Sequence, residues 1–369
     1  MQWNWQHQNW PEFVYDSDKI ETLETQFQKD SGVIIGVLKH IDSDAKNDLV
    51  IDLISTEAIN TSRIEGEILN RDSVQSSIKR NFGLGSSTAR ITPAEQGIAD
   101  MMTDLYQTWA NPLTHSMLFQ WHKMLTNGRT DLNDIGRYRT HEEPMQIISG
   151  ADYAAKVHFE APPSSTVKDQ MDKYIEWYNA SHDLPPLTRA SIAHLYFESI
   201  HPFEDGNGRI GRALVEKALS QQLEQSAILA LSHTIQENKK AYYSNLEVSN
   251  QDLEITKWLE YFSQVILDAQ ANALRLIEFL IAKTKHYDRY KDAMNERQAK
   301  AVERMFREGP NGFKGGLSAE NYISITGAKR PTATRDLTDL VNKNILKKTG
   351  ERRYTRYWLP MVEIEGAET

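Results

Sequence analysis

His201-Pro-Phe-Glu-Asp-Gly-Asn-Gly-Arg-Ile-Gly-Arg212 (HPFEDGNGRIGR) lies where one apolar-periodic run ends and the next begins. Ile192, Leu195, Tyr196 and Phe197 mark a helix that must stop before Pro202, because a proline pushes the residue before it out of the helical region. Arg209, Ala213, Leu214 and Leu219 mark the following helix. Gly206 and Gly208 surround Asn207 directly ahead of that helix, so backbone N–H groups and the positive helix end can converge on an anion. Arg209 and Arg212 are three apart on the first turn and share a face, which sets two cations beside the nest. The segment reads as a polyphosphate cradle. Asp205 offers a hard carboxylate oxygen suited to Mg²⁺, and His201 an imidazole suited to accepting a proton near neutrality.

Working outward, the surrounding runs predict a mainly α-helical body. Leu49, Leu53, Ile54, Ile59 and Ile64 recur near the helical period from Asp42 onward, and Gly66 interrupts them. Gly83, Gly85, Ser86 and Ser87 read as a loop, and Thr92-Pro93 as a cap with a first-turn proline. Helices are expected through Trp109, over Met117 to Leu125, around Met171 to Tyr178, over Lys239 to Leu246, over Leu253 to Leu267 and over Ala271 to Lys283. Between Pro144 and Pro163 the pattern changes: MQIIS and KVHFE are short β-prone runs on either side of Gly150, predicting a hairpin inserted among helices. Trp3, Trp5, Trp10 and Phe13 cluster around Pro11 and suggest a small cap packed on something larger, with no function assigned.

Composition narrows the function classes. The chain has 369 residues, 42 Lys and Arg against 51 Asp and Glu for a net charge of −9, and no Cys. A disulfide scaffold, a cysteine nucleophile and a thiolate zinc site are excluded. No signal-like opening or membrane-length apolar run is evident, so a cytoplasmic protein with no membrane contact is expected. Charge is uneven: residues 297–360 hold 14 Lys and Arg against 6 Asp and Glu, or +8, and the total of −9 leaves −17 for the rest. A basic module on an acidic body admits a nucleic-acid contact at one end.

The twelve-residue segment resembles the signature of Fic-domain proteins, HxFx(D/E)GNGRxxR, at every fixed position. The resemblance covers Ile91 to Leu267 and implies a Fic-type helical core in which the 144–163 hairpin is a flap pairing with an extended target segment. It implies a protein adenylyltransferase that moves AMP from ATP to a Ser, Thr or Tyr hydroxyl of a target protein, or of itself. By this likeness His201 deprotonates the hydroxyl, Asp205 holds Mg²⁺, and Asn207 with the Gly206 and Gly208 amides holds the α-phosphate. Arg209 and Arg212 would hold the β- and γ-phosphates, Gly211 and Tyr243 join the ATP contacts, and Phe203 anchors the loop. Tyr242 and Tyr243 could stack on adenine or belong to the core.

Upstream, TSRIEGE sets Thr61, Glu65 and Gly66 in the order (S/T)xxxE(G/N), which resembles the inhibitory helix of autoinhibited Fic proteins. The implied mechanism is that Glu65 reaches Arg212 and takes the space of the γ-phosphate. Removal of AMP, transfer of another phosphate-containing group, and a nucleotide-sensing DNA-binding regulator are the alternatives.

The expected domains are an N-terminal helical region over 1–90, a Fic catalytic domain over 91–285 and a winged-helix domain over 295–369. In the last, Thr332 to Asn342 reads as a recognition helix and Lys347 to Arg356 as a wing, for DNA, protein or homodimer contact. Lys329, Arg330, Arg335, Arg352, Arg353 and Arg356 could meet phosphates.

Overall fold

The computed structural model describes residues 2–39, 43–85, 91–149, 156–227 and 229–362. They are mainly helical and fall into two compact units, Met1–Ala273 and Leu274–Thr369. The first unit holds the expected 1–90 region and most of the expected 91–285 span.

In chain order the first unit contains α1 (Glu21–Lys39), α2 (Ser43–Ile64), α3 (Arg71–Asn81), α4 (Pro93–Thr108) and α5 (His115–Leu125). The hairpin β1 (Gln146–Ser149) and β2 (Lys156–Glu160) follows, then α6 (Ser164–Ala180), α7 (Pro186–Ile200), α8 (Asn207–Leu223), α9 (Leu231–Glu237), α10 (Lys239–Ser249) and the start of α11 (Thr256–Tyr290). Thr92 caps α4 with a capping box to Glu95, followed by Pro93, as its sequence requires. Every residue of α7 from Leu187 to Ile200 is buried, because the other helices wrap it on all sides.

The N-terminal helices complete this core. Pro185 gives α7 no side-chain cap, and Glu24 of α1 supplies one, accepting from the backbone N–H of Leu187 at 3.0 Å and of Thr188 at 2.8 Å. Glu57 of α2 likewise accepts from the Ser232 N–H of α9 at 2.9 Å. Residues from α1 to α11, including Phe27, Ile54, Trp121, Phe203, Ile210 and Trp258, share one apolar cluster.

The hairpin is antiparallel, pairing Gln146 with Glu160 and Ile148 with Val157, with a register slip between Ile147 and Ile148. Its tip, including Gly150, lies outside the described residues, as do Ser86 and Ser87. The aromatic cap sits on its base: Trp3 meets Phe159 edge-on at 5.4 Å, and Trp5 Nε1 donates to Glu160 O at 2.7 Å. Trp10 packs edge-on against Tyr196 of α7 at 5.2 Å.

The two helices expected over 253–267 and 271–283 are one, α11. Gln270 interrupts the apolar period without breaking the helix, since its side chain is buried and donates to Ser31 Oγ at 2.7 Å. The second unit comprises the end of α11, α12 (Glu296–Phe306), α13 (Ala319–Thr326), α14 (Arg330–Asn342) and the antiparallel pair β3 (Lys347–Thr349) and β4 (Arg356–Trp358), around Val302, Phe306, Tyr322 and Leu337. Among the described residues no helix is long and apolar enough to cross a membrane.

Candidate active site

The α7–α8 connection is held by side chains from distant segments. His201 ends α7 in the left-handed conformation (φ 49°, ψ 61°), its N–H donating to Phe197 O at 3.0 Å. Buried Arg139 stabilises this bend: Nε donates to His201 O at 2.8 Å and a terminal nitrogen to Pro162 O at 2.5 Å, tying the loop to the end of the hairpin segment. Phe203 is fully buried and stacks on the His122 ring at 4.3 Å. Asn207 closes the loop on itself, Nδ2 donating to Phe203 O at 2.7 Å while Oδ1 accepts from Phe203 N at 2.9 Å. Glu204 accepts from the N–H groups of Asn133 and Asp134, both at 2.8 Å, and so serves the loop's attachment.

Asp205 meets cations instead. Its Oδ2 pairs with Arg129 at 2.6 Å, and its Oδ1 accepts from Gly206 N at 2.6 Å and from Arg209 at 3.2 Å. Burial opposes its ionisation, but Arg209 and Arg129 hold the carboxyl below its ordinary range. His201 is pushed down to about 4, chiefly by burial and then by Arg139, leaving a neutral imidazole at neutral pH. Glu198, one turn earlier, is pushed up to about 8 by burial, and its carboxylate stands 3.7 Å from His201 Nδ1, beyond hydrogen-bond distance.

The end of α2 faces the two arginines. Arg212 Nε donates to Thr61 Oγ1 at 2.8 Å, and another of its nitrogens to Thr61 O at 3.0 Å and Glu65 Oε1 at 2.7 Å. Thr61 thus lies in the last turn of α2 and receives the guanidinium. Lys239 donates to Ile64 O, so two cations meet carbonyls that a helix end leaves open. Glu67 pairs with Arg209 at 2.7 Å. Gly208 permits the approach, because a Cβ there would overlap Glu65 Oε1. A carboxylate is seated against the nest that the sequence assigns to an anion.

The loop lies within a stretch that matches a known family. Residues 112–219 match the Fic/DOC family. The chain carries a Fic domain. Residues 3–84 match a separate family described as a domain of unknown function, DUF4172. Protein adenylyltransferase fic-1 of Caenorhabditis elegans is 30% identical over 125 residues, which is 33% of this chain and 22% of the worm protein. A probable protein adenylyltransferase of Aquifex aeolicus is 36% identical over 61 residues, 16% of this chain and 19% of that protein. The matches thus span about a fifth of these relatives. The crystal structure of a Fic family protein from Desulfovibrio desulfuricans superposes with a TM-score of 0.53 at 21% identity, covering 93% of this chain and 97% of that one, a likeness of fold.

Gly211 also packs closely: a Cβ there would overlap Glu198 and crowd His194 of α7. Tyr242 belongs to the core, buried and 2.7 Å from His194 Nε2 through its hydroxyl, whereas Tyr243 keeps 37% of its surface exposed. Arg139, His122, Arg129 and Glu67 were not singled out from the sequence. Each is a single residue of common type, and only the fold brings it to the Fic loop. Among the described residues no group of three His, Asp or Glu side chains could hold a metal ion, and Asp205 offers a single carboxylate beside the loop.

Proposed function

We propose that the chain is an autoinhibited protein adenylyltransferase acting on hydroxyl side chains. The observation that carries this reading is the pair of buried guanidiniums, Arg209 and Arg212, at a glycine-rich helix start, each met by a carboxylate of the turn that follows α2. In the active complex ATP phosphates take those positions, the β-phosphate at Arg209 and the γ-phosphate at Arg212. The α-phosphate meets the backbone amides of Gly206 to Gly208, while the Asn207 side chain keeps the loop closed. Mg²⁺ held by Asp205 would neutralise developing phosphate charge. Neutral His201 takes the proton of the target hydroxyl; the oxygen bonds to the α-phosphorus, the α–β bridging bond breaks and pyrophosphate leaves. The hairpin offers a strand edge for an extended target segment.

Incubation with ATP labelled separately at the α and γ positions tests this. Glu65→Gly protein should place only α-label on itself or on target proteins, His201→Ala should abolish transfer, and γ-label transfer or none would refute the reading.

We further propose that the second unit is a winged helix-turn-helix with α14 as recognition helix. Exposed Lys329, Arg330, Arg335, Arg352 and Arg353 support a nucleic-acid contact. A salt-dependent mobility shift on duplex DNA would support it, and no shift at low salt would remove it.

A further inference from the structure

We propose that Glu67 is a second inhibitory carboxylate, which guards the β-phosphate position while Glu65 guards the γ. This rests on the nucleotide-binding reading above.

The backbone explains how two acids two residues apart reach different arginines. α2 ends in a paired turn: Gly66 N donates to Arg63 O at 3.0 Å and Glu67 N to Ser62 O at 3.0 Å, with Gly66 left-handed at φ 88°. This is the Schellman arrangement, in which the second residue past the helix is folded back toward the last turn. Glu65 leaves the helix toward Arg212, and the turn at Gly66 brings Glu67 to Arg209. Both guanidiniums are almost wholly enclosed, with side-chain exposures of 3% for Arg209 and 2% for Arg212, so water cannot replace a lost partner freely. Arg209 Nε and one Arg212 terminal nitrogen are buried without a partner, which leaves donor capacity for phosphate oxygens.

A nucleotide must therefore exchange two carboxylates at two addresses. ADP carries the phosphate that competes with Glu67 and lacks the one that competes with Glu65. Removing Glu67 should raise affinity for ADP and ATP alike, whereas removing Glu65 should favour ATP. Glu67 is 32% exposed, so screening limits the gain to about fivefold for each nucleotide.

Calorimetric titration of the full chain with MgATP and MgADP decides it, using wild type, Glu65→Gly, Glu67→Ala, Glu67→Gln and the double variant. The expected result is a rise of about fivefold for both nucleotides on Glu67→Ala, repeated by Glu67→Gln and also seen in the Glu65→Gly background. Unchanged affinity on both Glu67 substitutions while Glu65→Gly gains ATP affinity would overturn this inference and leave the proposed function standing. A gain confined to ATP would also overturn it. No nucleotide uptake by any variant would overturn both.

Discussion

Replacing Glu198 by Gln should make the protein lose less stability in mild alkali, and the size of the effect follows from burial. Glu198 keeps 4% of its surface, and its carboxyl rises from an ordinary 4.5 to about 8, chiefly because burial penalises the ion and despite the opposing pull of Arg212. Between those values the folded state holds a proton that the unfolded state has released. Its contribution to stability is complete below pH 4.5 and falls as pH rises toward 8. His201 and His122, pushed down to about 4, act in the opposite sense below the ordinary histidine value of 6.5, where the unfolded chain takes up the extra protons. The window from pH 6.5 to 8 therefore isolates the carboxyl from the histidines. Other groups that titrate there, such as Lys217, are common to both proteins and cancel in the difference. Over about 1.5 pH units at ~1.36 kcal/mol each, the wild type should lose ~2 kcal/mol relative to Glu198→Gln, or roughly 4–8 °C in midpoint for a unit of this size. Urea and thermal unfolding at pH 6.5 and 8 measure it. Parallel stability of the two proteins across that interval would refute the assignment of a proton to Glu198.

Three further outcomes follow from the same geometry. His201 should remain neutral at pH 6 in the nucleotide-free protein, since burial and Arg139 hold it near 4; ring resonances in NMR that titrate between pH 6 and 7 would contradict this. Arg129→Ala removes the cation on Asp205 Oδ2 and should lower the Mg²⁺ concentration needed for half-maximal ATP binding by roughly two- to fivefold, read by calorimetry at varied Mg²⁺. Gly208→Ala should lower the thermal midpoint and give no α-label transfer even beside Glu65→Gly, because the new methyl occupies space that either carboxylate or phosphate needs; transfer at the Glu65→Gly rate would count against the cradle.

The Fic loop was legible because its chemistry is contiguous: a helix stop, two glycines, a carboxylate and two arginines lie within twelve residues. The hairpin was legible from its flanking prolines, and the end of α2 from Gly66. What escaped was supplied across the fold. Arg139 carries no local signal in GRYRTHEE, yet it fixes both His201 and Pro162. Glu24 looks like an exposed acid at the start of α1, and only α7 makes it a cap. Gln270 read as a break in periodicity because a buried amide with its own acceptor cannot be told from a solvent-facing one in sequence.

The position of α2 bears on how the proposed autoinhibition would be relieved. Val50, Ile51, Ile54, Ala58, Ile59 and Ile64 of this helix are all enclosed in the central apolar cluster. Stripping that many side chains out of contact would cost roughly 1.5–3 kcal/mol for each large one, comparable with the whole margin by which a domain stays folded. An activating stimulus is thus better suited to turning aside the short acidic hook at residues 65–67 than to levering out the rod that bears it.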